Sequence, residues 1–177
     1  MRHDDAASQA PIIRPRNDKD LPEASKALVE VHAVDGYPVE GVENPQAWLT
    51  PAGMLQAWVA EKDSEIVGHV TVSRPQGEVA VSLYLHQSHV AESQVAVLAR
   101  LFVHPKARKD SLGRRLVQAA TEYAKERNLR LVLDVMVKDA AAIRLYERLG
   151  WQSLGKATHA YGNGQETGAI CYVSPTG

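Results

Sequence analysis

The chain has 177 residues, of which 45% are hydrophobic and 23% are charged, and its formal net charge is −1. A chain of this length is expected to form one domain that buries a core without covalent cross-links. Cys171 is the single cysteine, so an intramolecular disulfide is excluded and a cysteine-rich zinc site is not expected. The 20 basic and 21 acidic residues create no net field that attracts nucleic acid or an anionic membrane.

The chain shows no pattern typical of a membrane-spanning or targeting segment. No apolar run approaches the roughly 18 residues of a spanning helix. Residues 1–9 are polar, unlike a signal peptide. Residues 1–10 mix charged and small side chains and predict a disordered leader. These features predict a soluble cytoplasmic protein with a single domain over residues 11–174.

The first part of the domain predicts a strand, a helix and a loop. Residues 12–15 form a short strand that ends at a proline and a turn. A helix runs from the capping residue Asp20 to a stop at Gly36. Residues 36–53 are rich in proline and glycine and predict a loop with room for a short helix near residues 46–49. The first helix has an apolar stripe composed of Ala24, Ala27, Leu28 and Val31.

The middle of the chain predicts a β-hairpin and a central strand. Residues 55–60 and 65–73 read as strands around a polar turn. Residues 74–94 have mixed character, and the stretch at 80–85 fits a strand or a helix. Residues 95–103 are dense in valine and leucine up to a following proline. They predict a strand that is apolar on both faces and therefore central.

The second half alternates helices and strands. An amphipathic helix over residues 111–127 carries its apolar side chains on one face. A strand at residues 131–137 is apolar except for Asp134, and a second helix runs from its cap at Asp139 to a glycine stop at Gly150. This alternation predicts an α/β or α+β domain. Two strands close the domain around a glycine-rich turn, at residues 151–154 and 168–173.

The turn that follows the central strand has features of an anion site. The next helix opens with Ser111 and Gly113 in its first turn, where unpaired N–H groups and the helix dipole favour an anion. Cations at a helix N-terminus oppose the dipole, so a bound phosphate would account for Arg108, Lys109 and Arg114. The alternative is an ordinary solvated turn, and these residues alone do not decide between the two.

A second motif supports the phosphate interpretation. The turn reads R-x-x-S-x-G from Arg108 to Gly113, and D-x-x-A-x-x-L-Y-E-x-x-G-W runs from Asp139 to Trp151. In this order the two motifs resemble the GNAT superfamily of N-acetyltransferases, and the resemblance extends over residues 12–173. It implies an acyl-CoA N-acyltransferase fold, with a central mixed, mostly antiparallel sheet flanked by helices on both faces.

The resemblance implies that acetyl-CoA binds as co-substrate and that no metal is needed. The end of the central strand, at Leu101, Phe102 and Val103, would hold the pantetheine arm through its backbone. The loop would bind the pyrophosphate, and the second motif would add further contacts. The implied binding residues of these two segments are Arg108, Lys109, Asp110, Ser111, Leu112, Gly113 and Arg114, followed by Asp139, Ala142 and Tyr146.

Three residues depart from the family pattern. Ser111 replaces the first glycine of the motif and puts a side chain where the backbone meets the pyrophosphate, although its hydroxyl can donate to a phosphate or cap the helix. Asp110 must point away from the pyrophosphate or repel it. Asp139 replaces an asparagine, which keeps a helix cap but loses an amide donor. The first two departures predict weaker or adjusted cofactor binding rather than its absence.

The resemblance also implies catalytic roles. Tyr146 corresponds to a tyrosine near the acetyl-CoA sulfur, and its phenol, with an ordinary pKa of about 10, suits protonation of a thiolate. The alternative role for Tyr146 is a core aromatic on the stripe of its helix. The backbone N–H of Val103 is the implied donor to the oxyanion.

The sequence does not identify a general base. The strand positions Val97, Leu98 and Ala99, where many family members carry a glutamate, hold none. Asp134 is a candidate because it is isolated in an apolar strand, but a structural acceptor at a helix end is the favoured interpretation. Four histidines have ordinary pKa values near neutrality and are further candidates: His69, His86, His89 and His104.

The acceptor is predicted from the loop after the first helix. In this loop, acidic residues beside aromatic ones would suit the binding of an amine acceptor. The equal alternative is that the loop is polar only because it is solvated. Arg100 on the central strand would instead recognise a carboxylate and so indicate an amino-acid-like acceptor. The residues of the loop concerned are Asp35, Tyr37, Glu40, Glu43 and Trp48.

These observations predict an N-acetyltransferase that moves an acetyl group from acetyl-CoA directly to a primary amine of a small-molecule or amino-acid-like acceptor. Cys171 has no base partner in the sequence pattern, so a covalent thiol route is not expected. The alternative is a non-catalytic acyl-CoA-binding or regulatory module on the same fold. Nucleic acid and membrane partners are not expected, and the protein is predicted to be a monomer or a homodimer.

Overall fold

The fold is built on one seven-stranded sheet. The structure is a computed structural model that describes residues 10–161 and 164–176. Most of the expected leader, residues 1–9, and part of the glycine-rich turn, residues 162–163, lie outside the described residues. The strands lie in the order β1-β2-β3-β4-β5-β7-β6. Their bounds are β1 Ile12–Pro15, β2 Met54–Lys62, β3 Glu65–Ser73, β4 Val95–Val103, β5 Arg130–Met136, β6 Gln152–Tyr161 and β7 Gln165–Val173.

Five α-helices connect the strands within the described residues, and a 3₁₀ segment at Pro105–Asp110 precedes the fourth of them. Pairing is antiparallel throughout except between β4 and β5, which are parallel. The prediction of a mixed, mostly antiparallel sheet is therefore confirmed. The helices are α1 Leu21–Asp35, α2 Pro45–Trp48, α3 Val79–Ser88, α4 Leu112–Glu126 and α5 Ala140–Arg148.

The helices cover both faces of the sheet. On the central strand β4, Ala96 and Leu98 pack with α4 and α5, whereas Val95 and Val97 pack with α3 on the opposite face. Val59 on β2 points to this second face as well, where it packs against α1. The alternation of side chains along each strand thus divides the core into two layers.

A β-bulge interrupts β4 at Arg100. The register against β3 shifts between the pairs His69–Phe102 and Thr71–Ala99, so β4 contains one extra residue there. Arg100 has a φ of 60°, which is left-handed backbone in a residue other than glycine. Because of the extra residue, the side chains that follow point to the opposite face of the sheet from the one that regular alternation would give. As a result, Phe102 packs against α1.

The strands β4 and β5 separate soon after they begin. They pair only from Val95–Val97 to residues 130–132, and β5 pairs on its other edge with β7 over residues 132–136. Beyond Val97, no described residue pairs with β4 on the side of β5. The backbone edge of β4 is therefore open at its carboxyl end, in the middle of the sheet.

Several elements differ from the sequence prediction. The stretch at 80–85, left open between strand and helix, lies in helix α3, which is apolar on several sides and therefore lacks a clear helical period. The strand predicted at residues 151–154 extends to Tyr161 as β6, because its polar residues pair along β7 instead of covering a core. No helix among residues 10–161 and 164–176 is long and apolar enough to cross a bilayer.

Candidate active site

A cavity of about 410 Å³ occupies the gap between β4 and β5. The residues of β4 from Val97 to Leu101 form one wall, and residues 133–136 of β5 form another. The loop after α1 and the strand β6 close the cavity on the face of α1 and α3, and Ala142 and Tyr146 of α5 line it from the other face. The cavity therefore lies at the opening in the sheet and is bordered by elements from both faces.

Tyr146 is both a cavity residue and a core residue. Its side chain is only 4% exposed, and its ring lies 5.4 Å from the ring of Trp151 and 6.2 Å from that of Tyr172, centre to centre. Burial is the main cause that raises the pKa of Tyr146 well above its usual range, and the negative charges of Asp139 and Asp134 act in the same direction. The phenol is protonated at neutral pH, as an ordinary phenol is, and it can donate to a developing thiolate. The raised pKa makes it a weaker acid than an ordinary phenol.

Asp134 lies in the cavity and not at a helix end, contrary to the interpretation favoured by the sequence. Its carboxylate is 3.8 Å from Nδ1 of His159, and Nε2 of His159 is 2.9 Å from the carboxylate of Glu40. The Asp134 side chain is 43% exposed, but this surface faces the concave cavity. Desolvation there raises the pKa of Asp134, whereas the neighbouring His159 acts in the opposite direction.

None of the four histidines proposed as bases lines the cavity. His69 is fully buried; Nδ1 is 3.0 Å from the carbonyl oxygen of Arg100 and Nε2 is 2.9 Å from the guanidinium of Arg16. Burial lowers the pKa of His69 to about 3, so the ring is neutral, with Nδ1 donating and Nε2 accepting. His104 pairs with Glu30 at 2.7 Å. The remaining two candidates, His86 and His89, are exposed at the end of α3.

His159 is the site histidine that the sequence did not identify. It lies on β6 five residues beyond the predicted end of that strand, so its proximity to Asp134 was not foreseen. Recognition of the full length of β6 would have provided the signal, since His159 falls on the same side of the strand as Ala157 and Tyr161.

Arg100 also lines the cavity. The bulge takes its side chain out of the regular alternation, and its guanidinium carbon lies 4.8 Å from the ring centre of Trp48, an arrangement typical of a cation–π contact. Trp48 is held edge-on by Tyr37, with the two ring centres 5.7 Å apart. The loop after α1 therefore packs directly on the bulge of β4.

The predicted cationic turn is partly neutralised by ion pairs. Arg108 pairs with Asp35 at the end of α1 and donates through Nε to the carbonyl oxygen of Val103, 3.0 Å away. Asp110 accepts from Lys62 at 2.6 Å, which accounts for an acidic residue in this loop. Lys109 and Arg114 make no hydrogen bond or ion pair with any described residue. These two cations remain available to an anionic ligand.

Ser111 stands where the backbone requires a left-handed residue. Its φ is 57°, and its side chain makes no capping hydrogen bond to α4. A glycine in the family motif therefore has a conformational reason, since only glycine adopts this region without cost. Two positions later, a Cβ at Gly113 would lie 3.5 Å from Leu145 and 3.9 Å from Val103, which is ordinary contact. The position in this turn that favours glycine is therefore residue 111, because of its backbone conformation, and not residue 113.

We expect Ser111→Gly to raise the free energy of unfolding by up to about 1 kcal/mol, because relief of left-handed strain exceeds the added backbone entropy of glycine. Thermal unfolding with and without acetyl-CoA measures both stability and affinity, and we expect the affinity to be kept or improved. Asn128→Gly is the matched control, since Asn128 has a φ of 58° at the other end of α4. A large loss of cofactor affinity in Ser111→Gly alone would show that the hydroxyl itself holds the phosphate.

The other predicted cofactor residues lie around the open edge of β4. Leu101 lines the cavity, but the side chain of Phe102 is buried against α1, so only its backbone can face a ligand. Leu112 is likewise buried in the core, which leaves its backbone N–H for binding. Asp139 caps α5 by accepting from the N–H of Ala142 at 3.2 Å.

Cys171 does not line the cavity. The thiol is buried between the sheet and α3, and burial raises its pKa to about 11, so it is protonated at neutral pH. Among the residues that the structure describes, no group of three histidine, cysteine or carboxylate side chains is arranged to hold a metal ion.

Solved structures of acetyltransferases share this architecture. NAA60 of Arabidopsis thaliana in complex with acetyl-CoA superposes with a TM-score of 0.70 and 22% identity, over 92% of this chain and 97% of that one. A ribosomal-protein-alanine N-acetyltransferase of Brucella melitensis superposes with a TM-score of 0.69 and 20% identity, over 92% of this chain and 98% of that one. The fold is therefore that of the GNAT acetyltransferases.

The chain itself belongs to the acetyltransferase (GNAT) family, whose model matches residues 23–151. It is 35% identical to a mycothiol acetyltransferase of Acidothermus cellulolyticus over 114 residues, which are 62% of this chain and 33% of that protein. It is 39% identical to an uncharacterized N-acetyltransferase of Methanocaldococcus jannaschii over 66 residues, which are 37% of this chain and 29% of that protein. The matches span about a third of these curated relatives.

Proposed function

We propose that the protein transfers an acetyl group from acetyl-CoA directly to a primary amine of a small-molecule or amino-acid-like acceptor. The observation that carries this proposal is the cavity in the opened sheet, with Tyr146 on the face of α4 and Asp134 on the face of α1 and α3. A proton donor and a proton acceptor thus border one space between two strands. Acyl transfer from a thioester to an ammonium requires both.

The residues of the chain fit acetyl-CoA as co-substrate. The open edge of β4 offers backbone groups that a pantetheine arm can pair with, as an added strand would. The first turn of α4 offers N–H groups without intrahelical acceptors, and the side chains of Lys109 and Arg114 stand free beside it. When bound, acetyl-CoA supplies the activated acetyl group.

Asp134 and Tyr146 have complementary protonation chemistry in this proposal. Asp134 removes one proton from the acceptor ammonium, and the freed electron pair forms the C–N bond to the acetyl carbon. As the C–S bond breaks, its electron pair goes to sulfur, and Tyr146 donates its phenolic proton there. The nitrogen then loses a second proton, which restores the phenol through solvent, so that one proton is released overall per ammonium.

We propose direct transfer because the single cysteine, Cys171, does not line the cavity. Cys171 is 0% exposed, and its thiol stays protonated, so it is not suited to an acyl-enzyme route. In this proposal the nitrogen of the acceptor attacks the acetyl carbon itself.

The first test is binding of the co-substrate. We expect acetyl-CoA at a hundred times its dissociation constant to stabilise the protein by about 2.7 kcal/mol, seen as a rise in melting temperature. Release of CoA thiol with a panel of primary amines then measures turnover. No shift at millimolar acetyl-CoA contradicts the proposal, and a shift without turnover for any amine favours a non-catalytic acyl-CoA-binding module.

A further inference from the structure

Two N–H donors at the cavity have no acceptor. Nε of Arg100 and Nε1 of Trp48 are shielded from water, and neither has a hydrogen-bond partner. They belong to one stacked pair, since the guanidinium carbon of Arg100 lies 4.8 Å from the ring centre of Trp48, and both residues line the cavity. Buried donors are normally satisfied in native proteins, so an unsatisfied pair at a cavity indicates a missing acceptor.

The guanidinium of Arg100 also lacks a counter-ion. Its side chain makes no hydrogen bond or ion pair with any residue in 10–161 or 164–176. By contrast, Arg14 pairs with Asp20 and Glu61, and Arg108 pairs with Asp35. A cation that is partly enclosed, stacked on an aromatic ring and left unpaired is well suited to receive a planar anion such as a carboxylate.

Negative groups lie in the same cavity without neutralising this cation. Asp134 and Glu40 both line it, and they contact His159 rather than Arg100. The cavity therefore contains a guanidinium and carboxylates that do not pair with each other. A ligand that carries an ammonium and a carboxylate matches both parts, whereas a plain amine leaves the cation and its two orphaned donors unpaired.

The backbone holds Arg100 in place. His69, neutral and fully buried, donates from Nδ1 to the carbonyl oxygen of Arg100 and accepts from Arg16 through Nε2. The buried hydrogen bonds through His69 therefore fix the backbone of the bulge, and the stack with Trp48 fixes the guanidinium. Such pre-organisation reduces the entropy lost when a ligand binds.

We propose that the acceptor is an amino acid or a closely similar zwitterion, whose carboxylate binds to the guanidinium of Arg100 and the indole N–H of Trp48 while its amine lies toward Asp134. This inference rests on the proposed function and names the substrate class for it. Recognition of the carboxylate makes Arg100 the residue that determines specificity.

The test compares each amino acid with its amide, in which a neutral group of similar size replaces the carboxylate. In the wild type we expect kcat/KM for the best L-amino acid to exceed that for its amide by about ten- to a hundredfold, as expected for hydrogen bonds to a charged group. In Arg100→Gln the ratio of kcat/KM for the amino acid to kcat/KM for its amide should fall to about one. Arg100→Lys, which keeps the charge and loses the planar fork, should give an intermediate ratio.

Arg148→Gln on the exposed side of α5 is the matched control and should keep the full preference. The acid and the amide are compared in the same variant, and unfolding would lower both rates equally, so a loss of preference in Arg100→Gln cannot arise from unfolding. Equal kcat/KM for acid and amide in the wild type would overturn the inference and leave the acetyltransferase proposal standing.

A binding measurement separates the two proposals if turnover fails. With CoA present, millimolar amino acid should raise the melting temperature of the wild type and not that of Arg100→Gln. An Arg100-dependent shift without acetylation would support the carboxylate site and contradict the acetyltransferase proposal. No shift, or the same shift in both proteins, would overturn the site.

Discussion

Replacement of Tyr146 with phenylalanine is expected to lower kcat by about a hundredfold or more while leaving the Kd for acetyl-CoA nearly unchanged. The variant keeps the ring, which packs on Trp151 and Tyr172, and removes only the hydroxyl at the cavity. That hydroxyl is protonated at neutral pH, so its loss removes the proton donor to the leaving thiolate. Thiol release measures kcat, and calorimetric titration measures the Kd.

Tyr172→Phe provides the control for this substitution. Tyr172 is also a buried tyrosine of the same core, but its hydroxyl donates to Glu147 at 3.0 Å, and it does not line the cavity. We expect its kcat to equal that of the wild type. Should Tyr146→Phe also turn over at the wild-type rate, Tyr146 is a core aromatic and the thiolate takes its proton from water.

Replacement of Asp134 with asparagine is expected to lower kcat/KM for the acceptor by about a hundredfold near neutral pH. Desolvation raises the pKa of Asp134 above that of an ordinary aspartate, and Glu40 and Glu78 act in the same direction, while His159 opposes them. A carboxyl accepts a proton only when ionised. Activity of the wild type should therefore be present above this raised pKa and be lost as the pH falls through it.

The pH profile of kcat/KM checks this assignment. In Asp134→Asn the acid limb set by the carboxyl should disappear, and activity should rise with pH as the acceptor amine loses its own proton. Glu126→Gln, on the exposed surface of α4, is a control that should keep the wild-type profile. An unchanged profile in Asp134→Asn would assign proton removal to His159 or to solvent.

The fold was largely predictable because its signals are local. The stripe of α1, the amphipathic α4 and the apolar strand β4 each follow from the spacing of side chains that the core then buries. The exceptions are elements whose character depends on neighbours. Helix α3 has apolar residues on several sides, which weakens its helical period, and β6 is stabilised along its polar half by pairing with β7.

The site was less predictable because it depends on contacts distant in sequence. The partners of Arg108 and Asp110 lie on α1 and β2, so the positive charge predicted for this turn is partly neutralised. His159 meets Asp134 only once β6 has its full length. The bulge at Arg100 has no signal of its own, because arginine does not favour left-handed backbone.

The bulge in β4 has a consequence for how this fold can diversify. Residues on either side of it belong to one core layer or the other, and their replacement disturbs packing. Residue 100 belongs to neither layer, since the extra position removes it from the alternation. Stability and selectivity therefore depend on different residues of one strand. Natural variation or laboratory evolution can replace residue 100 to accommodate a different acceptor without further substitutions in the core.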